Sequence, residues 1–230
     1  MSEEANLGSK NKKPLIVLPL YSSLSSKQQL KCFQKSAMNT RKVIVCTNMA
    51  ETSVTIPGIV YVIDALYAKI NIFDPDLSLN CLTSVPISKA SAEQRKGRAG
   101  RMSPGKCFRL CTENDFALLQ KENVPEIQRT KMTEPILQLK ALGIDNIANF
   151  EFFSPPPSKI VIESINQLYE LGIIDDQNNL TKIGEICTEM PLDPRTSKSI
   201  IWASKNGCSE ELISIAAMLS VKDVFLRPFI

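Results

Sequence analysis

Apolar and polar positions divide this chain into two textures. In the first, PLIVLPL (14–20), KVIVCT (42–47) and IVYVID (59–64) are apolar without alternation, the pattern of strands covered on both faces of a parallel sheet. Between the first two runs, Leu30, Phe33 and Ala37 recur at helical spacing behind a Ser25–Gln28 capping box, so 25–38 reads as a crossover helix. After Asp64, AKINIF and LSLNCL flank FDPDLS, whose Asp-Pro-Asp is turn chemistry; this predicts an antiparallel hairpin at about 67–83. Ser88 caps a helix through SAEQRKGRAG, and KCFRLC supplies another strand.

From Thr112 the texture is helical: TENDFALLQ, then EPILQLKAL capped by Thr133 and ended before Gly143, then SKIVIESINQLYEL closed by Gly172. SPPP at 154–157 separates two of these helices, and GIIDDQNNLT before KIGEICTEM reads as a small β-wing leading into a helix. The expected organisation is a polar segment at 1–13, an α/β parallel-sheet domain at 14–123, a helical domain of winged-helix character at 124–190, and a last helical region at 191–230. In that region Ser209 is the expected cap, and ELISIAAML is apolar on nearly all sides. Such a helix needs cover on several faces, so the chain reads as a fragment of something larger.

Composition narrows the chemistry. The chain has 230 residues, 43% hydrophobic and 22% charged, close to an ordinary globular domain. No apolar stretch reaches the roughly 20 residues of a membrane helix, and the opening MSEEANLGSKNKK lacks the apolar middle of a secretory signal, so no membrane partner is expected. Histidine is absent, which removes imidazole-dependent triads and the HExxH zinc site. The seven cysteines read as free thiols, because Cys107 and Cys111 in GKCFRLC have no second pair to complete a zinc tetrahedron. Net charge is +3, which permits a nucleic-acid partner without requiring one.

QRKGRAGR at 94–101 carries the strongest chemical signal. On a helix, Gln94, Arg98 and Arg101 stack one amide and two guanidinium groups on one face, suited to phosphate oxygens or, as the plainer alternative, a solvated basic face. Gly97 and Gly100 inside that helix suggest a close approach by backbone or ligand. TNMAETSVT (47–55) follows a strand and offers Thr47, Asn48 and free N–H groups where parallel sheets bind ligands; the same residues also make an ordinary helix cap. The run Gly100 to Cys107 imitates a phosphate loop and fails, since Cys107 lacks the Mg²⁺-binding hydroxyl and the order is helix to strand.

TNMAETSVTI and QRKGRAGR, in this order with a hairpin between them, resemble motifs V and VI of the DEAH-box RNA helicases, and LPLYSSLSSKQQ resembles their motif IV region. VPEIQRTKM, ILQLKALGIDN, FFSPPP, LYELGIID, LTKIGE and MPLDP resemble the family's winged-helix domain, and CSEELISIAAMLSVKDVF resembles the start of its ratchet domain. The wording of LGIDN with SPPP is closest to splicing-associated members. The resemblance implies a second RecA-like lobe at 14–123, followed by a winged helix and a truncated ratchet domain. It implies that Gln94, Arg98 and Arg101 contact ATP phosphates, with the arginines as fingers. Ser53 would sense nucleotide state, Thr55 would lie near the nucleotide, Phe33 would stack on the base, and Thr47 and Asn48 would hold RNA phosphates. Periodicity alone makes Phe33 equally a core residue alongside Leu30. The hairpin would wedge against the RNA path.

Two departures stand out: Pro57 replaces a common acidic residue, and Ala65-Leu66 replaces a small or glycine-containing turn. The phosphate loop, the DEAH box and the Ser-Ala-Thr motif are not in the chain, so ATP with Mg²⁺ would be held mainly by an N-terminal RecA-like lobe, and this stretch alone is expected to be inactive. Expected partners are RNA, that lobe, and a G-patch activator or spliceosome components, in the nucleus. The alternative is a non-catalytic RNA- or protein-binding remnant; a winged-helix transcription factor fits poorly, since no basic recognition helix stands out at 124–190.

Overall fold

In the computed structural model, which describes residues 13–52 and 54–221, the apolar runs become strands joined in parallel pairs. β1 (Leu15–Leu20) pairs with β2 (Arg41–Cys46), and β3 (Tyr61–Asp64) pairs with β6 (Lys106–Arg109). Between these pairs run α1 (Ser26–Phe33), the short α2 (Met49–Thr52), the hairpin strands β4 (Tyr67–Asp74) and β5 (Leu79–Pro86), and α3 (Lys89–Lys96). α1 packs on β1, and α3 packs on β3 and α2. This is the α/β class expected. The strands, however, are not covered on both faces: Val45 is 56% and Ile63 71% exposed. Each ladder is two strands wide among the described residues, with no second layer there to bury its other face.

Local structure departs from the sequence reading at several helix ends. The Ser25 side chain does not cap α1, because its hydroxyl donates to Gln28 Oε1 instead of accepting from backbone. α1 ends at Phe33, where Lys42 Nζ of β2 donates to the Cys32 and Gln34 carbonyls that a helix terminus leaves free. Ala37 therefore lies beyond the helix. The buried face of α1 centres on Cys32, while Leu30 is 61% exposed, so Leu30 does not form a core with Phe33. Ser88 caps α3 as expected by accepting from Ser91 N, and a Thr112–Asp115 capping box opens α4 (Glu113–Leu118).

The chain folds as two compact units: one from residues up to Ile70 with Ser84–Asn123, the other from Asn71–Thr83 with the residues from Val124 on. The second unit holds α5 (Thr133–Ala141), α6 (Ser158–Glu170), α7 (Lys182–Glu189), α8 (Pro194–Lys205) and α9 (Ser209–Ser220). Met132, Ile136, Leu168 and Ile173 are fully buried at its centre with Cys187 and the hairpin's Phe73. Each such aliphatic side chain contributes roughly 1.5–3 kcal/mol on burial. Thr133 is the first helical residue rather than the cap of α5, since the Met132 N–H is met by the Ser164 hydroxyl of α6 at 3.1 Å. Ser209 likewise sits inside α9, whose cap position is Cys208. The expected wing is a single antiparallel bridge, Ile174 to Leu180, around a turn in which Asp175 Oδ1 accepts from Gln177 N and Asn179 N. On α9, Leu219 is 77% exposed and only Ala216 is buried among the described residues. No helix among the described residues is long and apolar enough to cross a membrane.

Lys140, at the end of α5, is buried and donates from Nζ to the carbonyls of Asp145 and Asn178. Burial disfavours its charged form and lowers its pKa, against a smaller upward pull from Asp145 and Asp175. The folded state therefore binds fewer protons at this site than the unfolded state, whose lysine titrates near the ordinary 10.5. The expected outcome is that stability rises with pH across the window below 10.5, and that Lys140→Met removes this slope. Urea denaturation of both forms over that window measures it.

Candidate functional site

The loop after β2 has little freedom at its start, where Thr47 N donates to the Leu20 carbonyl at 3.2 Å, tying it to the end of β1. Thr47 and Asn48 are exposed and lead into α2, and Val54 and Thr55 follow its far end. Glu51 of α2 fixes the segment, accepting from Ser91 Oγ at 2.7 Å and from Arg95 Nε at 2.9 Å, both on α3. Ser53 lies outside the described residues.

The arginines on and after α3 are put to different uses. Ser88, Ser91 and Ala92 form the buried face of the helix, and Arg95 continues that face one turn on. Arg95 Nη1 donates to Asp64 Oδ1 at 2.9 Å while its Nε holds Glu51, so one guanidinium is shared between two carboxylates. Burial works against its charge, yet the bonds to Glu51 and Asp64 outweigh burial and raise its pKa above the ordinary arginine value.

Arg98 and Arg101 lie outside the helix, which corrects the expectation that they stack with Gln94 on one helical face. α3 ends at Lys96, Gly97 forms its cap in ordinary right-handed geometry, and Gly100 takes φ +81, which the helix cannot continue through. The chain turn nevertheless carries both arginines to one place. Arg98 Nη1 donates to the Val54 carbonyl at 3.3 Å, and Arg101 Nη1 donates to Thr55 Oγ1 at 2.7 Å while its Nε reaches the Gly97 carbonyl. Gln94 stays on the exposed side of α3, and Phe33 closes α1, half-buried, on an element that packs on β1. Arg98, Arg101 and Thr55 thus come together, while Gln94 and Phe33 have no hydrogen bond to that group among the described residues.

The partners of these arginines decide what they are available for. Arg95 meets two carboxylates, whereas among the described residues Arg98 and Arg101 meet carbonyls and a hydroxyl and no carboxylate. Among the described residues Arg98 Nε is buried without a hydrogen-bond partner, a donor that an incoming anion oxygen would satisfy. The arrangement is chemically able to receive an anion such as phosphate. No group of three or more carboxylates or thiols able to hold a metal ion is found among the described residues.

Sequence reasoning passed over Arg95, Glu51 and Asp64, although the spacing of Ser88, Ser91, Ala92 and Arg95 marks a buried helix face. It also passed over Gly105. A Cβ there would lie 2.6 Å from Gly100 N and 2.7 Å from the Val60 carbonyl, backbone atoms that cannot swing aside, whereas at Gly97 the nearest atoms are at 3.4 Å. The run Gly100 to Cys107 connects α3 to β6, the order that disqualifies it as a phosphate loop. A cavity of about 250 Å³ beside it is lined by Glu93, Lys96, Gly97, Gly105 and Lys106 and does not include Arg98 or Arg101.

The expected wedge hairpin is anchored in the second unit. Phe73 is buried in that unit's core, Ser78 Oγ donates to Glu163 Oε1 at 2.5 Å, and Lys159 pairs with Asp76 at 2.5 Å, both partners on α6.

Comparison with known proteins agrees with this architecture. Residues 2–103 match the family described as helicase conserved C-terminal domain, and residues 193–230 match the helicase associated domain (HA2), ratchet-like. The chain is 47% identical over 218 residues to a probable ATP-dependent RNA helicase, DHX35, of Homo sapiens, covering 94% of this chain and 31% of that protein. It is 45% identical over 215 residues to the pre-mRNA-splicing factor ATP-dependent RNA helicase prp22 of Schizosaccharomyces pombe, covering 93% of this chain and 18% of that one. Among solved structures, the Escherichia coli DEAH/RHA helicase HrpB superposes with TM-score 0.85 at 28% identity, over 96% of this chain and 28% of that one. The chain thus spans under a third of the length of these relatives.

Gly105→Ala is expected to destabilise the first unit by about 1–3 kcal/mol, the usual cost of overpacking, and Gly97→Ala to cost well under 1 kcal/mol, since its neighbours lie at ordinary contact distance. Chemical denaturation of the two variants measures the difference.

Proposed function

The chain belongs to the DEAH-box RNA helicase family, and from that premise we propose that it is the C-terminal part of an ATP-dependent RNA motor whose phosphate loop and DEAH box lie on another lobe. Residues 14–123 form the second RecA-like lobe, 124–190 the winged helix, and 191–230 the start of the ratchet domain. The observation that carries the reading is the pair Arg98 and Arg101, met by no carboxylate among the described residues and gathered on the Val54–Thr55 loop.

In this reading Arg98 and Arg101 receive the γ-phosphate when the lobes close, and Gln94 and Thr55 line the same approach. A guanidinium at that position offsets charge that builds on the phosphoryl oxygens, an effect worth about 10³–10⁵ in rate. ATP binds with Mg²⁺, held mainly by the other lobe. Ser53 senses nucleotide state, Phe33 stacks on the base, and Thr47 and Asn48 hold RNA phosphates at the end of β2. Hydrolysis reopens the cleft and steps the RNA.

The setting we propose is the nucleus, as a spliceosome component, with a G-patch protein docking on the winged helix. This rests on the resemblance and on the name of one relative as a pre-mRNA-splicing factor. The test uses a polypeptide in which this chain follows a phosphate-loop lobe. Arg98→Ala is expected to lower RNA-stimulated ATP hydrolysis by about 10³-fold or more, and the 230-residue chain alone is expected to show no turnover above background. Unchanged hydrolysis in the Arg98→Ala protein would remove the finger role.

A further inference from the structure

Arg95 sits one turn before Arg98 and touches none of the groups assigned to ATP or RNA, yet it joins three segments. Its Nε binds Glu51 of α2, and its Nη1 binds both Asp64 at the end of β3 and, at 3.2 Å, the carbonyl of Tyr67, the first residue of β4. The same Asp64 Oδ1 accepts from Leu66 N at 2.9 Å, holding Leu66 at φ 61, a left-handed conformation uncommon for leucine. The turn that launches the hairpin is therefore built on a carboxylate that Arg95 holds. Among the described residues Asp64 Oδ2 is buried without a partner, and no other cation holds that carboxylate.

Through Glu51 the same guanidinium governs α2. This helix is one turn long, with Thr47 and Asn48 at its start and Val54 and Thr55 beyond its end. Thr47 is tied at one side to β1, and Val54 and Thr55 are tied at the other to Arg98 and Arg101. Glu51 lies between them, held from two directions by Ser91 and Arg95. A movement of the RNA-facing end reaches the nucleotide-facing end only through a segment whose middle is fixed to α3.

We infer that Arg95 is a positioning residue that couples the RNA-facing Thr47–Asn48 loop and the hairpin base to the phosphate-facing arginines, by clamping Glu51 and Asp64 on one guanidinium. Arginine is required because its flat fork presents Nε and Nη1 to two carboxylates at a fixed separation, which the single ammonium of lysine cannot do. The inference rests on the motor reading above and specifies how that motor's two sites communicate.

The test measures ATP turnover with and without single-stranded polyuridine in the polypeptide that joins this chain to a phosphate-loop lobe, for Arg95→Lys, Glu51→Gln and the double variant. Glu51→Gln can keep the oxygen that accepts from Ser91 and turns its amide donor toward Arg95 Nε, so it breaks the clamp with little loss of packing. The ratio of RNA-stimulated to RNA-free turnover is expected to fall about tenfold, within the usual range of coupling between sites. The double variant is expected to fall no further than the worse single one, because both lose the same bond. If Arg95 is merely structural, both rates drop together with the melting temperature and the ratio holds, which overturns the inference. Full additivity of the two single effects overturns it as well. Absence of turnover in the unsubstituted polypeptide overturns the motor reading itself.

Discussion

A charged group taken out of water has to be met by opposite charge, and in the first unit that requirement falls on Arg95. Its guanidinium is largely enclosed and is answered by Glu51 from α2 and Asp64 from the end of β3. Removing the guanidinium would leave both carboxylates without it, whereas removing one carboxylate leaves the other paired. α2, the left-handed turn at Leu66 and the last turn of α3 are joined through this one side chain and its carboxylates. The loop that receives Arg98 and Arg101 begins where α2 ends, so the geometry of the anion site descends from the same constraint.

Three arginines within one short motif thereby take opposite roles. Among the described residues, where carboxylates are in reach the charge is used for structure, and where only carbonyls and a hydroxyl are in reach it remains available to a ligand. The helix stops at Gly97 because Gly100 takes φ +81 and Gly105 must nest against the Val60 carbonyl, and this stop swings Arg98 and Arg101 off the α3 face and onto the neighbouring loop. A continuous helix would have stacked them with Gln94, facing solvent.

The hairpin shows the same dependence on distant partners in the other unit. Its turn is polar and, alone, reads as a free projection. Phe73 enters the core with Met132 and Ile136, and the turn residues Asp76 and Ser78 are held by Lys159 and Glu163 of α6. It belongs energetically to the helices that follow it as much as to the strands from which it springs.

Much was legible along the chain because it depends on local periodicity and on residue types with narrow conformational preference. The strand runs, the hairpin about Asp74–Ser78, the Ser88 cap, and the closures at Gly143 and Gly172 all follow from spacing and side-chain chemistry alone. What periodicity does not carry is who meets whom across distant sequence. That Lys42 ends α1, that Ser164 meets the Met132 N–H before α5, and that Arg95 rather than Arg98 or Arg101 finds Glu51 and Asp64 depended on side chains brought together only by folding. The chain by itself determined where its guanidinium groups stand in sequence; the tertiary structure decided which of them are met by carboxylates, because that depends on where Glu51 and Asp64 come to rest.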